Sequence, residues 1–297
     1  MLAQAETRVA GEPALDASSA AAPVPPAPRA HAAVGEVAGA QTLRRGLSVL
    51  RLLTRVGPGG LRMGEIVRRL SLNKATTIRL TRTLVDEGFV LHHRASGRYR
   101  LGPEAFAVGL AAEPSYELQR IAAPALRALA AETGDTVFFS VLHGYESICL
   151  SREEGDFPIR NQLVKPGDRY PLGVGGGSCA LLAAMADDEI ADVLARNAAL
   201  RAERFPRCTD EAVRALVRDT RERGYCVQPG LVIEDSWAVG AVVCDVNDRP
   251  VAAISVAAIR SRLGTARSAA IGNRLMQASQ ELVALQAQMA KPAYSDL

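Results

Sequence analysis

The order of hydrophobic and polar positions between residues 41 and 102 predicts three helices followed by a β-hairpin. Leucines recur at helical spacing through "QTLRRGLSVLRLL", which predicts an amphipathic helix that ends at "GPGG", Gly57 to Gly60. Two helical segments follow, Met63 to Leu70 and Lys74 to Glu87, and Asn73 is a suitable N-cap for the second. Apolar and polar residues then alternate around a glycine-containing turn in "FVLHHRASGRYRL", which is typical of a hairpin. This order is that of a winged helix-turn-helix.

The pattern beyond residue 102 mixes helical and extended segments and predicts a second domain. A short helix is expected from Pro103 to Glu113, and strands are expected on both sides of a turn at Gly144 and of the turn "NDRP". Further helices are predicted at Ser115–Thr133, Asp187–Ala199, Thr209–Arg223 and Gly264–Ala290. Two hairpins with flanking helices indicate an α+β domain built around an antiparallel sheet.

Domain boundaries follow from these elements and from local composition. Residues 1–40 are rich in Ala and Pro and have no apolar periodicity, so they are predicted to be a disordered tail. After this tail we expect the winged helix-turn-helix at 41–102, a linker helix at 103–114, the α+β domain at 115–290 and a C-terminal tail at 291–297.

Positive charge is concentrated in the predicted winged helix. Between Thr42 and Glu104 there are 13 Lys and Arg against 4 Asp and Glu, a balance of +9, whereas the whole chain carries +3. A basic module joined to a mildly acidic remainder is typical of a chain in which one domain contacts nucleic acid. A basic face that only interacts with solvent is the alternative.

Composition excludes several classes of protein and of site. No apolar run approaches the ~20 residues that a membrane span needs, and the N-terminus lacks the pattern of a secretory signal. The five cysteines are far apart, odd in number and form no C-x-x-C, which argues against a zinc site and a disulfide framework. We therefore expect a reduced, cytoplasmic protein with no metal and no cofactor.

The helix expected at Lys74 to Glu87 is the one that would enter the major groove. On a helical wheel its packing face holds Thr77, Leu80, Thr81 and Leu84. Arginine binds guanine bidentately, and residues at the helix start and in the wing suit the phosphate backbone. The predicted DNA contacts are Asn73, Lys74, Thr76, Arg79, Arg82, Arg94 and Arg98. The alternative is a small helical domain whose arginines face solvent.

The stretch "VGGGSCALLA", Val174 to Ala183, joins three glycines to a helical pattern. A phosphate loop requires Lys directly after its last glycine, and Ser178 stands there instead. The nucleophile elbow needs a downstream His as base, and all 4 histidines precede Ser178. Free N–H groups at a helix start favour an anion such as a carboxylate. Two alternatives remain open: a tight helix entry with no ligand, and an enzyme that uses Ser178 or Cys179.

Three longer segments occur in a characteristic order: "MGEIVRRLSLNKATTIRLTRTLVDEGFVLHHRASGRYRLG", "VKPGDRYPLGVGGGSCALLA" and "RGYCVQPG" with the following "AVGAVVCDVNDRPVAAISVAA". Together they resemble the IclR family of bacterial transcription regulators over roughly residues 41–290. The resemblance implies a GAF-like C-terminal domain that binds a small effector, usually an organic or aromatic acid, and a homo-oligomer that is a dimer or a tetramer. By motif position it implies the effector-binding residues Gln162, Tyr170, Gly176, Gly177, Ser178, Gln228, Trp237, Val239 and Ser255.

Three positions of the recognition helix depart from the family pattern. The family usually has Ser, Val and His where this chain has Ala75, Thr77 and Ile78, so we expect the helix to bind an operator of its own. The sequence favours a ligand-responsive regulator of double-stranded DNA that is not an enzyme. The alternative is a DNA-binding protein whose C-terminal domain only oligomerises.

Overall fold

The computed structural model of the protein describes residues 40–112, 117–159, 164–245 and 247–289. The tails expected at 1–40 and 291–297 lie outside the described residues, apart from Ala40. The end of the linker expected at 103–114 is outside them too, as is Gln162.

The first part of the chain folds into three helices and a small sheet. The helices are α1 (Gln41–Thr54), α2 (Met63–Leu70) and α3 (Lys74–Asp86), and the strands are β1 (Leu61–Arg62), β2 (Val90–His93) and β3 (Arg98–Leu101). The strands pair antiparallel in the order β1-β3-β2. One buried apolar cluster joins helices and sheet, and it contains Val49, Leu52, Leu53, Leu61, Ile66 and Val90. The winged helix-turn-helix is confirmed, and β1 was not predicted because two residues are too few to show a period.

The rest of the described chain folds around one six-stranded antiparallel sheet. Its helices are α4 (Pro103–Ala112), α5 (Glu117–Thr133), α6 (Gly176–Ala183), α7 (Asp187–Arg204), α8 (Asp210–Arg223) and α9 (Thr265–Met289). Its strands are β4 (Thr136–His143), β5 (Glu146–Glu153), β6 (Arg169–Pro171), β7 (Cys226–Ile233), β8 (Ser236–Cys244) and β9 (Pro250–Ile259), in the spatial order β6-β5-β4-β9-β8-β7. The predicted α+β class with an antiparallel sheet is confirmed.

Alternation along the central strands divides the core into two layers. One face of the sheet packs against α5 and α9, through residues such as Phe139, Val239 and Ile254. The helices α6, α7 and α8 cover the opposite face, where Leu182 and Val193 lie in a second cluster. Because successive side chains of a strand point to opposite faces, neighbouring residues of β4, β8 and β9 enter different layers.

Two elements differ from the prediction for identifiable reasons. The helix expected at Asp187–Ala199 continues to Arg204, and Arg201 on its extra turn is buried, where its guanidinium donates to the carbonyl of Leu194 (3.1 Å). A buried arginine in this turn interrupts the apolar period, so the sequence did not show that the helix continues. The strand β7 contains Pro229 and Gly230, which resemble a turn in sequence; an edge strand tolerates both residues.

Candidate nucleic-acid interface and ligand cavity

The start of α3 is fixed by its capping residue. The Oδ1 atom of Asn73 accepts the backbone N–H of Ala75 at 2.8 Å, as the sequence predicted for an N-cap. The hydroxyl of Thr77 donates to the carbonyl of Asn73 at 3.1 Å. Thr77 and Thr81 are both fully buried, so the predicted packing face of α3 is correct.

The opposite face of α3 is exposed and basic. Lys74, Arg79 and Arg82 are exposed, and Thr76 is half-buried beside them. Arg82 lies 3.9 Å from Asp86, but both side chains are largely in solvent, so this ion pair contributes little. Of the side chains predicted to contact DNA on this helix, those of Lys74, Arg79 and Arg82 are therefore accessible on the protein surface.

The wing carries two arginines that the sequence assigned to DNA, and they differ in environment. Arg94 is exposed, whereas Arg98 donates from Nη1 to the carbonyls of Gly60 (2.9 Å) and Gly59 (3.4 Å). The ring of His92 stacks on Tyr99, with ring centres 4.3 Å apart. Arg98 thus ties the wing to the turn before β1, and this bond limits how far its guanidinium can reach.

A cavity of about 80 Å³ lies where α6 meets the sheet face that α7 and α8 also cover. This is several times the space that a single water needs. Of the residues named for effector binding, the structure places six around it: Tyr170, Gly176, Gly177, Ser178, Gln228 and Ser255. The lining also includes residues that the sequence did not single out, and these are Phe138, Ser140, Ser147, Val164, Val174, Gly175, Val232, Ser236, Ala238 and Ala257.

Strand alternation explains which named residues do not line the cavity. Ser236 and Ala238 of β8 face the cavity. The alternate residues of this strand, Trp237 and Val239, point to the other side of the sheet and pack with α5 and α9. The same period, applied to β4 and β9, would have found Phe138, Ser140 and Ala257 from the sequence.

The glycines of α6 bring the helix unusually close to the sheet. A Cβ added to Gly176 would stand 3.0 Å from the Cβ of Ala238, and one on Gly177 would stand 3.2 Å from the Oγ of Ser255. A Cβ at either position would crowd β8 or β9, so the close packing of the helix on these strands favours glycine here. Gly175, just before the helix, has φ of 93°, which is a conformation that glycine adopts without strain.

The start of α6 and the side chain of Gln228 provide hydrogen-bond donors at the cavity. The helical ladder of α6 starts with the N–H of Cys179 bonding to Gly175 at 2.9 Å, so the N–H groups of Gly176, Gly177 and Ser178 precede it. Gln228 is only 2% exposed, and its Nε2 has no hydrogen-bond partner among the described residues. Burial, followed by the charge of Asp168, raises the pKa of Tyr170 to about 12, which keeps this phenol neutral.

The described part of the lining contains no ionisable cation or carboxylate. An anion here would therefore be stabilised by N–H and O–H dipoles and by the positive end of α6. Dipoles of this kind balance one negative charge better than two, because each donor carries only a partial charge.

Within the described ranges, the two candidate nucleophiles lack an activating partner. The hydroxyl of Ser178 donates to the carbonyl of Pro171 at 2.9 Å. A hydrogen bond with the thiol of Cys226, followed by burial, raises the pKa of the fully buried Cys179 well above its ordinary value. His143 is exposed at the end of β4, where its Nδ1 lies 3.5 Å from Arg169. This arrangement is that of packed, protonated side chains rather than of an activated nucleophile.

Two family models match the chain over most of its length. The IclR helix-turn-helix domain matches residues 42–93, and the bacterial transcriptional regulator IclR C-terminal domain matches residues 111–284. The HTH-type transcriptional repressor AllR of Klebsiella pneumoniae is 27% identical over 247 residues, which cover 82% of this chain and 89% of the relative.

Solved structures share the fold. An IclR transcriptional regulator from Alicyclobacillus acidocaldarius has a TM-score of 0.67 at 24% identity, covering 82% of this chain and 97% of the other. An IclR homolog from Microbacterium hydrocarbonoxydans, solved in complex with 4-hydroxybenzoate, has a TM-score of 0.65 at 20% identity, covering 83% and 99%.

Proposed function

Because this chain belongs to the IclR family of bacterial transcriptional regulators, we propose that it binds an operator as a homo-oligomer and that a small organic acid in the α6 cavity changes this binding. The chain is a ligand-responsive, DNA-binding regulator of transcription, since the two matched models together cover the winged helix and most of the second domain. The acid, the contacts and the assembly are the parts that we propose.

The outward face of α3 is the proposed reader of base edges. Arg79 lies in its middle. For the exposed Lys74 and Asn73 at its start, we propose contacts with phosphate. Ile78 is 42% exposed on the same helix and offers an apolar contact for a thymine methyl group. Arg94 supplies the wing with a free cation, whereas Arg98 acts on DNA chiefly through the wing position that it stabilises.

The chemistry of the α6 cavity favours an acid with one negative charge and a second acceptor. The N–H groups at the start of α6 would take the carboxylate, and the Nε2 of Gln228 would donate to a carbonyl, hydroxyl or ring oxygen of the same molecule. The observation that carries this proposal is the buried Nε2 of Gln228, which has no hydrogen-bond partner among the described residues. An unsatisfied buried donor is costly and is commonly explained by a ligand or water.

The homodimer is supported by an apolar surface on α4. This helix has no buried residue in the described structure, and Phe106, Val108 and Leu110 are 70%, 56% and 50% exposed. Exposed Leu43 and Leu47 on α1 add to this apolar character. A second copy is the proposed occupant, because helix-turn-helix proteins commonly bind two half-sites with two symmetric subunits. A tetramer would require a further contact between second domains.

We also propose that the protein is cytoplasmic and has no catalytic activity. None of the helices in the described ranges is long and apolar enough to cross a bilayer. The protonated, buried state of Cys179 and the exposed position of His143 beside Arg169 support a binding site rather than a catalytic one.

A thermal-shift screen tests the acid-binding proposal. The panel would contain short 2-oxo acids, benzoate and 4-hydroxybenzoate, each beside its methyl ester, which lacks the negative charge. An acid at 100 times its Kd stabilises the folded state by about 2.7 kcal/mol, which raises the melting temperature by several degrees, and its ester should not. If no acid shifts the melting temperature, a second domain that only oligomerises becomes the better account.

A further inference from the structure

An ion pair joins the winged helix to the second domain. Arg55 directly follows α1, and its Nε donates to the Oδ1 of Asp168 at 2.6 Å. The two side chains are only 10% and 4% exposed, so water does not screen the pair as it does on a surface. Beside it, a Cβ on Gly167 would stand 3.3 Å from the Oγ1 of Thr54, which shows that the end of α1 rests directly on this turn.

Asp168 is held rigidly on its own side of the contact. Its second oxygen, Oδ2, accepts the N–H of Lys165 at 3.0 Å, and its backbone N–H donates to the carbonyl of Lys165 at 2.9 Å. The carbonyl of Asp168 accepts the N–H of Cys149 in β5 at 2.9 Å. The carboxylate thus moves only with the turn at 165–168 and with the edge of the sheet.

This turn is also part of the cavity wall. Val164, one residue before it, and Tyr170, two residues after Asp168, both line the cavity. The charge of Asp168 contributes to the raised pKa of Tyr170, which places the carboxylate close to the cavity. A ligand that displaces either lining residue therefore displaces the partner of Arg55.

Arg55 is equally well anchored on the DNA-binding side. Leu52 and Leu53, in the preceding turn of α1, are buried in the core of the winged helix beside Ile66. Residues Leu84 and Val85 of α3 pack against the same core. A shift of Arg55 is thus transmitted to α3 through a packed interior, which resists local deformation.

We propose that the Arg55–Asp168 pair is the contact through which occupancy of the α6 cavity changes the placement of α3. Arg55 is a positioning residue that touches neither DNA nor ligand. This inference rests on the proposed function, because it needs a ligand cavity at α6 and an operator at α3. Two packed bodies that meet across a buried ion pair form an element whose arrangement both sites can bias.

Loss of the Asp168 carboxylate would leave two neighbouring positive charges without their shared counter-ion. Burial, followed by the charge of Arg55, lowers the pKa of Arg204 on α7, so two guanidinium groups lie near the carboxylate of Asp168. Without this carboxylate they repel each other, and a buried charge is left without its partner. The domains should then lose their fixed relation while each stays folded on its own core.

Hydrogen–deuterium exchange of the full-length protein tests the proposal without a known effector. The probe is a DNA duplex that the wild-type protein selects from a random-sequence library. We expect this duplex to slow exchange in α3 and also in the segment 164–171. In Arg55→Gln and in Asp168→Asn the duplex should still protect α3, but its effect on 164–171 should fall to within replicate error.

A matched control is Arg120→Ala, which removes an arginine from an exposed ion pair with Glu117 and should preserve both effects. The proposal is overturned if the duplex leaves 164–171 unchanged in the wild type, or if its effect on that segment persists in both variants. Failure of the proposed function looks different, since no duplex would then be enriched or α3 would not be protected.

Discussion

Gly240 of β8 lies directly beneath Gly176 of α6, with their backbones in contact. A Cβ on Gly240 would stand 2.5 Å from the carbonyl carbon of Gly176, a distance that a real Cβ does not adopt. This contact sets how far the start of α6 stands above the sheet, and it therefore sets the size and position of the cavity.

Gly240→Ala should push α6 away from the sheet. We expect a loss of about 1–3 kcal/mol in the free energy of unfolding, typical of overpacking, together with the loss of the acid-induced thermal shift. The control is Gly64→Ala, where an added Cβ on the exposed side of α2 meets no atom within 4 Å. Equal melting temperatures for the two variants would show that α6 tolerates displacement.

Arg79→Ala should reduce specific operator affinity by about 1–3 kcal/mol and relax the preference at one base pair. Lys74→Ala should weaken all duplexes alike and reduce the slope of log K against log salt by about one. Competition with single-base operator variants at two salt concentrations separates the two effects. Arg218→Ala, an exposed arginine on α8, is the control. A uniform loss in Arg79→Ala would make Arg79 a phosphate contact.

Gln228→Leu should leave the fold stable but lower the affinity for the acid. The variant removes a buried donor that has no partner among the described residues, so its free energy of unfolding should be unchanged or higher. Acid affinity, measured by calorimetry, should fall about tenfold, because a hydrogen bond to a ligand oxygen is lost. Unchanged affinity would mean that Gln228 faces water and not the ligand.

Stability should decline at alkaline pH because of buried acids that resist ionisation. Burial raises the pKa of Cys149 to about 12, of Cys208 to about 11 and of Tyr170 to about 12. An acidic group whose pKa is higher in the folded than in the unfolded protein makes its full contribution to the free energy of unfolding only below its unfolded pKa, near 8.5 for a thiol. This contribution is lost as the pH rises from there towards the folded pKa. Urea unfolding at about pH 8 and pH 10 should show the decline.

Cys149→Ala isolates one of these groups. The variant should be less stable than the wild type at about pH 8, because packing is lost. Between about pH 8 and pH 10, however, the free energy of unfolding should fall less in the variant than in the wild type. Parallel pH curves for the two proteins would contradict the assignment to Cys149.

Phe106→Glu should dissociate the proposed dimer by burying a charge in the α4 contact. Sedimentation should show a smaller species, and affinity for a two-half-site duplex should fall more than affinity for a single half-site. Ile233→Glu, at a residue 42% exposed on the edge strand β7, serves as the control. A Phe106→Glu protein of wild-type size would place the interface elsewhere.

The sequence predicted those parts of the fold that depend on local period and local chemistry. The spacing of Thr77 and Thr81, and the cap at Asn73, follow from one helix and were correct. The strand β7 could not be predicted, because Pro229 and Gly230 suit it only at a sheet edge, and edge position is a tertiary property.

In the cavity, too, the sequence predicted local features but not those that depend on tertiary structure. Its helix start at Gly176 was visible as a glycine-rich turn, whereas the side of the sheet that faces it depends on strand register. Motif position alone grouped Trp237 with Gln228. Gln228 of β7 pairs with Ala238 of β8 and lines the cavity with it, whereas Trp237, the neighbour of Ala238, packs in the opposite layer. The Arg55–Asp168 contact joins residues 113 positions apart, and no local pattern could have predicted it.

The most direct test is operator binding with and without the acid found by thermal shift. The protein would be titrated into a fluorescent duplex that it selected, and the anisotropy would give Kd at increasing acid concentration. We predict a saturable change in Kd of at least about fivefold, and an equal factor when the duplex is used to change acid affinity, because coupling is reciprocal. A duplex Kd that stays constant while the acid saturates the protein would contradict the account.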